Sequence, residues 1–298
     1  MLYEQLIINA AVLGAVFTLF ALGLSLTWGA LDVLNLAHGA TFVTSAWVAT
    51  SVYSAYELPL ASAMLVGILT GGMIGVVADL VAFKPIRLLI TNKRQAELSM
   101  VAATIGMGFV LDRIIGRATL DQVFSFPARA FPYKDFHIFG ARISNIEIII
   151  LVLTFLCAVL LNLWISRSRQ GMAIRAIAYS AKIPPLLGIH VDRMSAATMA
   201  IGGMLAGLSG TLMTVWVSGM AVSTGHSFLL KGFAIVVLGG VGSIRGCVLA
   251  AFILAFAETG IVAFGAGNLR DLAAFSLIVL ILLFRPQGLF GTRSAMRA

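Results

Sequence analysis

The chain has 298 residues, 60% of them hydrophobic and 11% charged, with a mean hydropathy of +1.03, where soluble domains carry roughly 25% charged residues. A soluble globular protein is excluded: most of the chain must cross lipid in segments of about 20 residues, so length no longer counts domains. The net charge of +8 does not indicate a nucleic-acid partner, because the basic residues gather between apolar runs, as they do on cytoplasmic loops.

The N-terminal MLYEQLIINA has Glu4 and no basic residue before an apolar run reaching about Ala30. A secretory signal begins with a basic region and has a shorter apolar stretch, so a retained first span is expected. Further runs fall at about 38–56, 59–83, 97–116, 146–165, 195–217, 228–244, 246–266 and 271–284. The fold class expected is all-α and polytopic, with about eight or nine transmembrane helices in a single transmembrane domain over 1–298. The segment Lys84–Arg94 has four basic residues, and Ser166–Arg193 has five against the single acidic Asp192; both belong in the cytoplasm with the tail. The segment Asp112–Glu147 mixes five basic with four acidic residues and belongs outside, which puts the N-terminus outside if 38–56 spans fully.

Two glycine-centred polar interruptions, LDVLNLAHG and GGVGSIRG, each join two apolar runs. Such paired breaks mark transport sites in repeat-built transporters, so a weak internal repeat is read here, with a re-entrant or broken helix expected at Gly239–Gly246. In the first interruption Asn35 and His38 sit between apolar runs, where an unpartnered polar group is costly. Two readings stay open: a neutral imidazole and amide satisfied by backbone carbonyls, or a hinge beside a gate. Among the intramembrane charges, Asp79 is expected to pair with Lys84 or Arg87. Asp112 and Arg113 are read as interfacial, and Glu258 as either holding two helices together or touching substrate. Cys157 and Cys247 lie in apolar runs as buried thiols, without a disulfide framework.

The cytoplasmic segment 166–193 is too long for a tight connection. It interleaves Met172, Ile174, Ile177, Leu186 and Leu187 with Arg169, Arg175 and Lys182. That amphipathic pattern fits one or two short helices docking into a partner's groove, interrupted by Pro184-Pro185 and ending at Gly188. No phosphate-binding loop, zinc-ligand spacing or nucleophile elbow occurs, and the four histidines are dispersed, so no catalytic and no metal-binding residue is assigned. If the protein moves a solute uphill, the energy must come from a partner or an ion gradient.

At this point the motifs resemble those of the membrane subunits of high-affinity, binding-protein-dependent ABC importers for branched-chain amino acids. LSLTWGALDVLNLAHG resembles the family's GLxLxYGxxxxxNFAHG at Asn35, Ala37, His38 and Gly39. ADLVAFKPIR, ATIGMGFVL (Thr104, Ile105, Gly106), RQGMAIRAIAYSAKIPPLLGI, LGGVGSIRGCVLAAFILAFAE and FRPQGLFG follow in the family's order. Departures fall at Tyr179, Ser180 and Pro184-Pro185 in the cytoplasmic segment and at Cys247 and Ala250 after the glycine cluster.

The resemblance implies a permease subunit, not an enzyme. It pairs with a second homologous permease in the lipid of a bacterial inner membrane, receives solute from a periplasmic binding protein, and is driven by two cytoplasmic ATPases. It implies that this chain binds no cofactor, ATP and magnesium being used by those partners. Gly171, Arg175, Ala176, Leu187 and Gly188 match the segment that couples to the ATPases. Asn35, His38, Gly39, Thr104, Gly106, Gly242 and Glu258 are the residues expected along the translocation path or its gate. A permease for urea, short amides or aromatic acids would carry the same features. The alternative of another class is an ion-coupled secondary transporter relaying through Glu258 or Asp79.

Overall fold

The computed structural model describes residues 2–57, 59–127, 134–138, 141–179, 184–265 and 267, together with scattered positions between 272 and 290. The expected run 271–284 falls for the most part outside them.

Helix α1 (Leu2–Leu31) is the axis of the bundle. No ionisable side chain lies between Glu4 and Asp32, so it is surrounded by four later helices of the chain and its middle turns are almost wholly buried. A helix apolar all round has no face to present to water. After a short loop, α2 (His38–Tyr56) carries Thr41, Thr44, Ser45 and Thr50. Each hydroxyl donates to a carbonyl four residues back, at 2.7 to 2.9 Å, so the helix is polar in composition yet satisfied internally. Seven helices among the described residues are long and apolar enough to cross a membrane. The hydroxyls of α2 keep it out of that set, but it is an unbroken helix of 19 residues, about 28 Å long, which is long enough to cross.

The most intimate contact joins α3 (Leu60–Ala78) to α8 (Val191–Val217). Gly67, Gly71 and Gly75 recur at every fourth position and meet Gly207, Gly203 and Met199 in reverse order. A Cβ on Gly71 would overlap the Gly203 carbonyl, and one on Gly203 the Gly71 carbonyl. Lipid tails are as apolar as leucine, so helices in a membrane gain from close backbone approach, which small residues permit.

Helix α3 continues through one wide π turn, Asp79–Phe83, into α4 (Lys84–Leu89). The segment returns as α5 (Lys93–Thr119), capped by the Asn92 side chain. At the opposite end a hairpin of β1 (Asp135–Ile138) and β2 (Ala141–Ser144), which hydropathy did not reveal, leads into α6 (Asn145–Arg167). Ser144 and Glu147 form a reciprocal capping box there, satisfying two orphan donors. Then follow α7 (Arg169–Tyr179), a 3₁₀ turn (Pro184–Leu187), α8, α9 (Val222–Gly239) and α10 (Ile244–Ala263).

Contacts between loops sort the helix ends. Lys93 meets Asp32, Arg87 meets Asp192, and the Gly242 amide donates to Ser25; these are at the end of the basic clusters. At the other end the Gln5 side chain accepts from the Arg142 amide, and Phe124 exchanges backbone bonds with Met220. The N-terminus therefore lies with the hairpin, on the side assigned as outside.

The break expected at Gly239–Gly246 is instead a tight turn between two whole helices. Gly240 and Gly242 have φ of 98° and 79°, values that favour glycine. Gly239 and Gly246 touch backbone to backbone across the turn. The Leu289 and Phe290 amides donate to the Leu238 and Gly239 carbonyls at 2.7 and 3.1 Å, satisfying acceptors that the helix end leaves open.

Candidate functional site

The polar interruption 32–37 lies at the inner end, enclosed by α1, α5 and α8. The Asn35 side-chain oxygen accepts from the Ala37 amide at 3.1 Å, turning the chain into α2. His38, 1% exposed, points its Nε2 at the Phe20 carbonyl at 3.2 Å and sets its ring edge-on to Phe20 at 4.8 Å between centroids. A carbonyl only accepts, so Nε2 carries a proton. Gly39 lies against Gly225, each leaving no room for a Cβ beside the other's carbonyl. This draws α2 onto α9.

Thr104 on α5 donates to the Val101 carbonyl and accepts from the Leu36 amide at 3.2 Å, fastening the loop from the other side. Gly106 is not brought to this group: it faces open space. Gly108, one turn beyond Thr104 on the same face, lies against Ala37. Gly242 packs on Gly29 and binds Ser25, so the two glycine-centred interruptions share the inner end of α1.

Glu258, fully buried on α10, forms an ion pair with Lys231 of α9 at 2.9 Å. Lys231 also lies over the Phe17 ring, 5.8 Å from its centroid. A buried charge persists in a low-dielectric interior only when paired, and here the pair ties two helices. Lys231 is a lone basic residue in an apolar run that holds no acid, and that isolation is the local signal of a buried pair.

Asp79, at the start of the π turn, receives both terminal nitrogens of Arg87 at 3.3 Å and the hydroxyl of Ser195. Arg87 also donates to Ser195 at 2.7 Å and to Asp192 at 3.2 Å. Arg87 is the expected partner; Ser195 and Asp192, contributed by α8, were invisible without the fold. The π turn widens the helix by one residue and lets Arg87 reach back to Asp79.

Segment 166–193 enters this network directly, since Asp192 lies at its end. Gly171 permits the sharp turn from α6 to α7: a Cβ would strike the Trp164 and Ile165 carbonyls, and its amide takes a cap from Ser168 at 2.8 Å. Ile174 and Ile177 are buried on the bundle, while Met172, Tyr179 and Leu187 stand outward, 53%, 81% and 72% exposed. Arg175 is exposed and donates to the Ser166 carbonyl at 3.4 Å; Ala176 is half-buried. Gly188, with φ of 76° and nothing near it, ends the 3₁₀ turn in a conformation suited to glycine. Residues 180–183 lie outside the described set.

The fold and these sites define a multi-pass helical membrane protein, with ion pairs inside the bundle and an amphipathic segment at the end that carries the basic clusters. Residues 6–284 match the family described as branched-chain amino acid transport system / permease component, and the chain belongs to that family. A permease component is a transport subunit of a larger system and not an enzyme.

The chain is 31% identical over 306 residues to the high-affinity branched-chain amino acid transport system permease protein BraD of Pseudomonas aeruginosa, covering 97% of this chain and 96% of that protein. It is 29% identical over 307 residues to LivH of Escherichia coli K12, with the same coverage. To the probable LivH of Methanocaldococcus jannaschii it is 28% identical over 304 residues, covering 97% and 93%. PsaBC from Streptococcus pneumoniae, solved in complex with Fab, aligns at a TM-score of 0.47 and 14% identity over 96% of this chain and 93% of that one.

Proposed function

We propose that this chain is a permease subunit of an ABC importer that carries branched-chain amino acids across a bacterial inner membrane. The observation that carries the reading is kinship over 97% of the chain with permease proteins named for that transport. Its partners in this reading are a second homologous permease, two cytoplasmic ATPases that bind ATP and magnesium, and a periplasmic binding protein. Segment 166–193 is the coupling element. The outward Met172, Tyr179 and Leu187 supply the apolar contact that a docking groove takes up.

Mechanistically, nucleotide binding by the ATPases shifts an alternating-access equilibrium by its differential affinity for the two states. The route into the helices is Asp192 and Ser195 to Arg87, and from Arg87 to Asp79 at the base of α3. Since α3 and α8 are locked by glycine contacts, a displacement of that pair moves as a unit. Nothing on this route requires a reacting side chain in the permease.

The test is reconstitution of the complete importer in liposomes. ATP-dependent accumulation of L-leucine, L-isoleucine or L-valine is expected, undiminished by an uncoupler and not displaced by urea. Uptake that continues without the ATPases would overturn the reading.

A further inference from the structure

Helix α5 buries little of its surface, and its last turns carry three charges, Asp112, Arg113 and Arg117, after a long uncharged stretch. Charged side chains within a span face a cavity or a partner, because lipid does not solvate them. Here they face a hollow of about 570 Å³ between α5 and the start of α9, lined by Phe109, Asp112, Arg113, Arg117, Val222 and His226. That volume is within the ~300–1,000 Å³ of small-molecule sites.

Three observations give the hollow a chemistry. Its charges come in opposite signs: the guanidinium groups of Arg113 and Arg117 against the carboxylates of Asp112 and Asp121, with Asp112 held 3.3 Å from His226 Nε2. The set sums to zero with the imidazole neutral, which suits a ligand that is itself neutral overall but charged at both ends. Next, Phe109 and Val222 supply apolar wall.

Last, the end of α5 is built to keep a carboxylate there. Leu120 and Asp121 both have φ of 55°, a strained conformation for residues other than glycine. The Asp121 amide donates to the Gly116 carbonyl at 2.8 Å, and a Cβ on Gly116 would meet the Asp121 carboxylate at 2.5 Å. Gly116 thereby lets Asp121 fold back over the hollow.

A second hollow of about 160 Å³ shares Phe109, Asp112 and His226 with the first and extends along α5 to Leu36, Gly39 and Ala40. The charged group therefore stands at the outer mouth of a mostly apolar track ending at the polar interruption.

We propose that the hollow lined by Asp112, Arg113, Arg117 and His226 is a transit site for the zwitterionic backbone of an aliphatic α-amino acid, a reading that rests on the substrate assigned above. The α-carboxylate is received by the guanidinium groups, which match it geometrically. The ammonium displaces His226 from Asp112, and the side chain lies on Phe109 and Val222.

The test uses the complete importer in liposomes, with L-leucine as the probe and its binding protein at saturation. Asp112→Asn and the double variant Arg113→Gln/Arg117→Gln are each expected to lower the rate of leucine uptake at least fivefold. As a second measurement independent of those variants' folding, Val222→Cys is treated with a trimethylammonium methanethiosulfonate reagent. Modification is expected to block uptake, and turnover with leucine to slow modification at least threefold. Losses below fivefold together with unprotected Val222→Cys, beside a wild type that transports leucine, overturn the site alone. A wild type that accumulates no leucine overturns the substrate assignment and the site with it.

Discussion

Lys231 and Glu258 are the residues on which the interior depends most sharply. Replacing one partner leaves the other charge buried and uncompensated, which costs about 3–5 kcal/mol, whereas replacing both with apolar or neutral groups of similar size is often close to neutral. Lys231→Met and Glu258→Gln should each lower the thermal midpoint of the purified protein markedly, and the double variant should recover most of it. Equal loss in the double variant would contradict a mutual pairing.

His38 is argued in the same way. Its ring donates to the Phe20 carbonyl from a fully enclosed position, so the structure favours a fastening role over a titrating one. His38→Gln is expected to cost about 1–3 kcal/mol through a poorly satisfied buried group, with uptake per folded molecule little changed. Selective loss of uptake at unchanged stability would instead place His38 at the gate.

At the scale of elements, two assemblies divide the work. The glycine face of α3 on α8 leaves no space for side chains, and Gly71→Leu should prevent accumulation of folded protein, measured by size-exclusion profile after solubilisation. The inner network behaves differently because it lies where segment 166–193 runs into the α3–α8 pair. Arg87→Ala strips Asp79 of its cation while leaving the outward face of the coupling segment intact. It is expected to lower substrate-stimulated ATPase activity in the full complex with assembly of the ATPases retained. Arg175→Ala and Gly188→Val are expected to lower the same stimulation with membrane insertion intact, through the docking segment itself. Unchanged stimulation in all three would remove the route from α8 to α3.

For the whole molecule, the pairing of loop ends predicts sidedness. Glu4→Cys should react with a membrane-impermeant maleimide applied to spheroplasts, and Lys93→Cys only after permeabilisation, with wild type as the background for Cys157 and Cys247. This outcome requires α2 to cross fully, and labelling of both from outside would make it re-entrant.

Composition and run length alone determined that the chain is a helical bundle in lipid, because a hydrocarbon layer admits few backbone solutions and long apolar runs declare one of them. Charge placement between the runs sorted the loops into a basic and a mixed-charge set, which predicts sidedness because basic loops resist translocation. The amphipathic pattern of 169–188 was also legible, as was Gly188 at its end, because both are local. What only the tertiary structure decided is who meets whom. Lys231 with Glu258, and Asp79 with Ser195, join residues 27 and 116 positions apart, and no local pattern carries such information. Hydropathy equally misjudged the glycine cluster, which turns between whole helices where a break was expected, and no local pattern showed that Gly108 is the α5 glycine lying against the polar interruption. In both cases the deciding fact is the direction in which a backbone without a side chain is approached, and that direction exists only once the helices are packed.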